Sequence, residues 1–454
     1  MECFNALKFS YDLYTTTESD FHKMQVQEML VCMKENGFLC EKIENQDYCE
    51  VCGKFLADRE IVGSCPVCGT FAKGDQCDNC LTSFDTKELK ERSCIACGGH
   101  NASKPQKEIV FEMSRLQEAL QQFFELNKDC WRLNAINETK KYLDEGLRDR
   151  DVTRNLNWGI KIPFSGYEDK RLYVWFDAVL GYLTVCKHVL EKRGESYDEF
   201  IKDSESLRTY YVHGKDNIPF HTIILPALIL AQKCDVQLPK FIVSSEYVIM
   251  GEEKMSKSKG NIILVKDLLN QFTSDSIRFY FILNNPERKD ITFSKDDLIS
   301  THNKLLVGGL GNFVNRNLSF LKSKFGGVVP NGEIDNNIRK LTESLYVLIS
   351  KEIESGNLRS AMDKLVQYIQ AANKYYDDSK PWLQSKQNDL TDFNNTTATC
   401  IYIIANMSNL FNPFIPDGCA VIRNMLSLKL NKWKPINVGV GLLLDECPLL
   451  YTRL

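Results

Sequence analysis

"KFIVSSEYVIMGEEKMSKSKGN" occupies residues 240–261. A β-branched and aromatic run opens the stretch, a glycine interrupts it, and Lys254, Lys257 and Lys259 then alternate with small serines. The apolar run reads as a strand. The loop behind it has two readings. A solvated charged turn is the ordinary one. In the other, the ammonium groups grip phosphate and neutralise charge developing on a leaving pyrophosphate, while the serines permit close approach. Position favours the second, because α/β folds place ligands near strand ends.

Working outward, "LYVWFD" (172–177) and "TYYVHG" (209–214) are further β-like runs. Helical patterns lie between them, including residues 220–233. Strands alternating with helices predict a parallel sheet of α/β type. Upstream, Thr15 to Gly37 reads as a helix: Thr15 and Glu18 form a capping-box pattern, Phe21, Met24, Leu30 and Met33 keep roughly helical spacing, and Gly37 is the stop. Residues 105–148 read as helical and charged. From about Leu298 the pattern is mostly helical, as in an all-α bundle. The tail "VGVGLLLDECPLLYTRL" (438–454) is too apolar for a free end and is expected to dock back on the body.

With 454 residues the chain exceeds one compact domain, and its 43% hydrophobic content can supply real cores. No apolar run approaches the ~20 residues of a membrane span. The opening "MECFNALKFSYDLY" lacks the basic-then-apolar layout of a signal peptide. A soluble, intracellular chain is expected, cytoplasmic and away from membranes, with a monomer as the default. The net charge of −4 gives no bulk support for nucleic-acid binding and leaves room for a local basic path.

Seventeen cysteines without a secretion signal point to metal or reduced thiols rather than disulfides. Eight of them form four pairs, Cys49/Cys52, Cys65/Cys68, Cys77/Cys80 and Cys94/Cys97, separated by 12, 8 and 13 residues. Each such turn places two thiolates on one edge of a zinc tetrahedron, and a second turn closes the site. Four turns therefore predict two structural Zn2+ sites, with one zinc and a degenerate pair as the plainer alternative. Pairing can be nested (65/68/77/80 inside 49/52/94/97) or sequential. His100 is a spare ligand that four cysteines make unnecessary.

These motifs carry a resemblance. "KMSKSKGN" (254–261) resembles the second signature of class I aminoacyl-tRNA synthetases. "YVWFDAVLGYLT" (173–184) and "VHGKDNIPFHTIILPAL" (212–228) are similar to the methionine site of the methionyl-tRNA synthetase family, and the cysteine pairs sit where that family has its insert. The resemblance runs over essentially the whole chain. It implies an α/β fold: a partial Rossmann-like class I catalytic domain with a zinc-knuckle insert, followed by an all-α anticodon-binding bundle. The expected divisions are 1–40 (partial nucleotide-binding fold), 41–101 (zinc knuckles), 102–245 (connective segment and second half of the catalytic fold), 246–300 (lysine loop and stem contact) and 301–454 (anticodon bundle).

The implied activity is methionine–tRNA ligation, with methionine, Mg2+-ATP and tRNA(Met) as partners. Trp175, Ala178, Tyr182, Phe220 and His221 match the family's methionine pocket; its usual proline after the alanine is Val179 here. Asp216 matches the carboxylate that organises the adenylate site, and Arg154 the arginine expected to pair with it. Lys254, Ser256, Lys257 and Ser258 fall in the ATP loop, with Lys257 and then Lys254 expected at the phosphates. Asn312 and Arg316, at i and i+4, match residues that read the CAU anticodon, and Trp382 matches the tryptophan that stacks on it. Read without the family, Trp175, Tyr182 and Trp382 would be core aromatics and Arg316 a solvated charge.

One family signature is missing. None of the histidines 22, 100, 188, 213, 221 and 302 forms a histidine–x–glycine–histidine box. "LKFSYDLYTTTESDFHKM" (7–24) already resembles the segment just ahead of the insert. An N-terminally truncated ligase is therefore expected, with exposed sheet edges and poor solubility. The alternative is a non-catalytic tRNA- or zinc-binding remnant of the same family. A different class I synthetase is the third reading, and Trp175, Tyr182, His221 and the double zinc insert argue against it.

Overall fold

The structure is a computed structural model that describes residues 1–454 except 78, 81, 83, 203, 252, 255–261, 430 and 431, with backbone only at Glu253 and Lys254. The chain divides into two compact units, Asp12–Ser244 and Met1–Tyr11 with Ser245–Leu454.

In Asp12–Ser244 the first helix is Asp20–Glu35. Its cap is Ser19, whose hydroxyl accepts from the His22 N–H at 3.3 Å, so the helix starts later than the Thr15 pattern suggested. The stop at Gly37 holds. Gly37 takes φ +76°, its N–H donates to the Lys34 carbonyl, and the Phe38 N–H donates to Met33, a Schellman ending that needs a left-handed residue. Val26, Leu30 and Met33 carry the buried stripe, while Met24 is exposed. Their partners are the helices Val174–Arg193 and Leu225–Gln232.

From Phe38 the chain enters a long antiparallel ribbon. Strand Leu39–Cys49 pairs with Asn101–Phe111 in unbroken register from Leu39↔Phe111 to Cys49↔Asn101. Residues 105–111 are therefore strand rather than helix. The helices expected in that region begin only at Gln117–Asn127 and Leu133–Glu145. Charged residues on a two-stranded ribbon mimic a solvated helix in composition, and only the partner strand distinguishes them. The ribbon's far end carries a three-stranded sheet with Ile61–Ser64 between Phe71–Lys73 and Lys90–Cys94. Its core holds little beyond Leu56, Ile61, Ala72, Phe84, Leu89 and cysteine side chains. A core this small is what metal ligation usually supplements.

"LYVWFD" also departs from its strand reading. Only Arg171–Leu172 is strand, and Val174–Arg193 is helix. Phe176, Val179, Leu180 and Leu183 explain this, since burying all four against one core needs the 3.6-residue period. Strands Tyr210–Gly214 and Phe241–Ser245 pair, with the helical crossover 220–232 between them. That crossover opens with a π turn, Phe220–Ile224, just ahead of Pro226. Proline has no N–H to give the preceding turn, and the wider π turn accommodates the loss.

The other unit has a small β layer. Val248–Met250 pairs in parallel with Ile291–Thr292 and, through a turn at Gly251 (φ +61°), antiparallel with Glu253–Lys254. Helices follow from Lys295–Thr301 onward, as read from the sequence, around a core that includes Leu310, Phe313, Ile349, Leu365, Ile404 and Phe411. Thr391–Leu410 lies at its centre and is buried almost all round from Phe393. The tail does dock. The Val329 N–H donates to Leu442 at 2.9 Å, the Leu444 N–H to Gly327 at 2.8 Å, and the Tyr451 hydroxyl to Asp275 at 2.8 Å.

Candidate functional site

Two constellations of side chains stand out, one in each unit. In Asp12–Ser244, Trp175 and Phe220 stack nearly parallel, with ring centroids 3.9 Å apart at 14°. Trp175, Ala178 and Tyr182 recur at i, i+3 and i+7 on the Val174–Arg193 helix, so one face presents all three. The π turn supplies Phe220 and His221 side by side. The His221 Nδ1 lies 2.7 Å from the Asn217 carbonyl, which can only accept, so Nδ1 carries the proton. Its Nε2 then accepts from the Tyr182 hydroxyl at 2.8 Å.

Burial, with His213 stacked 4.0 Å away adding to it, pushes the His221 pKa down to about 4. Burial alone raises that of Tyr182. Near neutral pH these four side chains are therefore uncharged, as two pairs that form an aromatic wall: the Trp175–Phe220 stack and the hydrogen-bonded Tyr182–His221. Such a wall suits an apolar, polarisable thioether.

Asp216 lies in the turn Lys215–Asn217, directly after the strand Tyr210–Gly214 and next to the residue that fixes His221. The expected Arg154–Asp216 pair is not what the fold makes. Arg154 donates from Nε to Asp58 at 2.6 Å and from Nη1 to the Asp151 and Thr153 carbonyls, and its guanidinium lies 4.1 Å from the Tyr173 ring centroid. The reason is topological: strand Thr153–Arg154 runs beside the cysteine-rich insert, which brings Asp58 within reach.

The cysteines form the nested pairing. Cys49, Cys52, Cys94 and Cys97 gather at the end of the ribbon, and Cys65, Cys68, Cys77 and Cys80 gather within the small sheet, each set with its sulfurs within 4.8 Å of one another. Sulfur separations are 3.4 Å for Cys49–Cys97, 3.9 Å for Cys52–Cys94, 3.7 Å for Cys65–Cys80 and 3.6 Å for Cys68–Cys77. A zinc tetrahedron with ~2.3 Å bonds requires about 3.8 Å between sulfurs. The residues fit the ion. Both sets can hold zinc, and four protein ligands leave no position open for water.

In Met1–Tyr11 with Ser245–Leu454, the second constellation lies between the helices Asn312–Phe325 and Leu358–Ser379. Asn312 is exposed, and Arg316 follows one turn later. Arg316 donates to Asp377 at 2.8 Å and to the Asn373 side chain at 3.0 Å, with its guanidinium 4.0 Å from the Tyr376 ring centroid. Trp382 leans on the same tyrosine at 5.8 Å and 44°, and is 42% exposed. A core reading of Trp382 does not survive that exposure. Tyr376, Asn373 and Asp377 were missed in the sequence. Their spacing to Arg316 is long, although the i, i+3, i+4 pattern along one helix was a usable signal.

The lysine loop is seen in part. Lys254 pairs through its backbone with Ile249, while Ser256, Lys257 and Ser258 lie outside the described residues.

The family model for class I tRNA synthetases (M) matches residues 1–318, and that for the anticodon-binding domain of methionyl tRNA ligase matches residues 328–442. The chain belongs to the methionine–tRNA ligase family. A "Methionine--tRNA ligase 1" of Alkaliphilus oremlandii is 42% identical over 454 residues, covering 100% of this chain and 83% of that protein. A methionine–tRNA ligase of Bacillus mycoides is 41% identical over 437 residues, covering 96% and 80%. Mycobacterium tuberculosis methionyl-tRNA synthetase bound by methionyl-adenylate shares the fold, with a TM-score of 0.80 at 21% identity over 99% of this chain and 85% of that one. The class I catalytic fold and the helical anticodon-binding region expected from the resemblance are those of this family. Among the described residues no helix is long and apolar enough to cross a membrane.

Proposed function

We propose that this methionine–tRNA ligase family chain takes L-methionine in the Trp175–Phe220–Tyr182–His221 cage, for activation by Mg2+-ATP and transfer to tRNA(Met). The neutral, internally hydrogen-bonded cage carries the reading. It offers aromatic faces with Ala178 as the small residue of the same helix, and Asp75 and Arg150 line the small cavity beside Trp175 and Phe220. In the first step the methionine carboxylate attacks the α-phosphate and pyrophosphate leaves. In the second, a ribose hydroxyl at the tRNA end attacks the adenylate carbonyl and AMP leaves. Lys257, then Lys254, would neutralise the departing phosphates, and Asp216 would order the nucleotide side. Asn312, Arg316 and Trp382 would read the anticodon loop by hydrogen bonding and stacking. The two cysteine sets would hold structural zinc, which supplies folding energy and no chemistry to the reaction.

Calorimetric binding of methionine against leucine, valine and cysteine tests the cage by itself. Methionine is expected to bind in clear preference, and its failure to do so removes the proposal. Methionine-dependent pyrophosphate exchange tests turnover. Within it, Lys257→Ala is expected to lower the rate by ~10²–10³ with metal content unchanged, by analogy with loss of an oxyanion donor. A second reading, methionine and tRNA binding without turnover, is favoured by one sequence observation: the 454 residues contain no histidine–x–glycine–histidine string. Binding without exchange selects it.

A further inference from the structure

Two carboxylates of the cysteine-rich insert reach out of it toward the methionine cage. Asp75 lies between Gly74 and the ligand-bearing Cys77 turn, and its Oδ2 accepts from the Tyr173 hydroxyl at 2.6 Å. Asp58, in the short turn Asp58–Glu60, accepts from Arg154 at 2.6 Å, and the Arg154 guanidinium lies 4.1 Å from the centroid of the same Tyr173 ring. Tyr173 is thus tied at its hydroxyl by one aspartate and covered on its ring by an arginine that the other aspartate holds.

The position of Tyr173 gives these ties their consequence. It is the N-cap of the Val174–Arg193 helix, and no side chain caps that end. Trp175 follows in the first turn. Asp75, Tyr173, Trp175 and Phe220 also line one small cavity of about 40 Å³. A shift of Tyr173 therefore moves the turn whose indole must stack on Phe220. The anchor itself is firm. The Asp75 carbonyl accepts from the Phe84 N–H at 2.9 Å, and the Gly74 N–H donates to Ile61 at 3.0 Å.

We propose that Asp75 and Asp58 are positioning residues for methionine recognition. They fix Tyr173 and Arg154, and through them the first turn of the helix that presents Trp175. The insert then serves as a clamp on the amino-acid site. The proposal rests on the cage reading given above. A side chain that acts through a second residue has a distinctive energetic signature: removing either partner costs about the same as removing both.

The test uses the full chain with Tyr173→Phe, Asp75→Asn and the double variant. Methionine affinity is read by calorimetry and metal content by elemental analysis. Orientation is read from the near-ultraviolet circular dichroism component that Trp175→Phe removes. Tyr173→Phe keeps the ring under Arg154 and deletes only the hydroxyl. Each single variant is expected to weaken methionine binding on the order of ten-fold, and the double variant no further. The Trp175 component is expected to change in all three, with metal content as in the parent. Tyr173→Phe binding methionine as tightly as the parent overturns the clamp, and so do additive losses. If Asp75→Asn sheds metal, Tyr173→Phe decides by itself, because it lies outside the insert. A parent chain that binds no methionine removes the cage reading instead. The Trp175 component still shows whether Tyr173 sets the geometry, and an unchanged component overturns that too.

Discussion

Trp175 and Trp382 would pass for the same kind of residue in a sequence, and their surroundings make them opposites. Trp175 lies flat on Phe220 at 3.9 Å, beside a histidine held neutral and a tyrosine committed to it. Trp382 meets Tyr376 obliquely at 5.8 Å, is 42% exposed, and shares that tyrosine with the Arg316 guanidinium. The first arrangement is uncharged and matched within itself, with Tyr182 41% exposed at its edge, and suits an apolar guest. The second leaves Trp382 partly in solvent near an arginine that Asp377 pairs, the surroundings proposed above for a stacked base. An aromatic residue therefore declares its use through the polarity of its neighbours.

The strongest way to break this contrast is Trp175→Ala. It is expected to cost about 3 kcal/mol of methionine binding, on the order of 100-fold in Kd, by comparison with truncation of packed aromatics. Anticodon-stem-loop binding should stay as in the parent. Loss of both would show that Trp175 supports the whole fold rather than a cage.

Acid comes next. His221 has its folded pKa lowered, from 6.5 to about 4. Its neutral form is thus favoured by folding. That stabilisation is fully present above pH 6.5 and is lost as pH falls from 6.5 through about 4. At most about 3 kcal/mol is at stake. Denaturant unfolding of His221→Gln against the parent between pH 7 and 4 reads it, and the parent should lose its advantage over that window. A parent-minus-variant difference that does not change with pH would mean the imidazole is not held neutral by the fold.

Trp382→Ala is expected to weaken tRNA binding by ~1–3 kcal/mol, the range for base–aromatic stacking, and to leave methionine binding unchanged. Filter binding with tRNA(Met) and calorimetry with methionine check the two halves. The smallest effect is expected from Tyr182→Phe, which deletes one hydrogen bond to His221 and keeps the ring. A loss of about 0.5–1.5 kcal/mol in methionine binding sharpens the picture of a matched cage. No loss at all would make the Tyr182 hydroxyl irrelevant to it.

Sequence spacing was a good guide where chemistry repeats at short range. The four cysteine pairs, the i, i+4 relation of Asn312 and Arg316, the helical second half and the docking tail could all be read from neighbouring residues. Nested closure of the cysteines could not be separated from sequential closure, because both satisfy the same spacing. "LYVWFD" misled because β-branched and aromatic residues favour a strand locally, while the buried positions of Phe176, Val179, Leu180 and Leu183 demand a helix. Residues 105–111 misled for the converse reason: their partner strand lies about sixty residues back in the chain, as in Glu44↔Gln106.

By itself the sequence determined the residue types on offer: thiolates at the spacing of a tetrahedral ion, a lysine-rich stretch, and the aromatics proposed above to meet a thioether and a base. Tertiary structure alone decided who holds whom. Arg154 finds Asp58 across 96 residues, and Asp75 finds Tyr173 across 98. Spacing cannot encode such pairs, because a contact between distant residues exists only after the ribbon and the helices have closed the intervening loops.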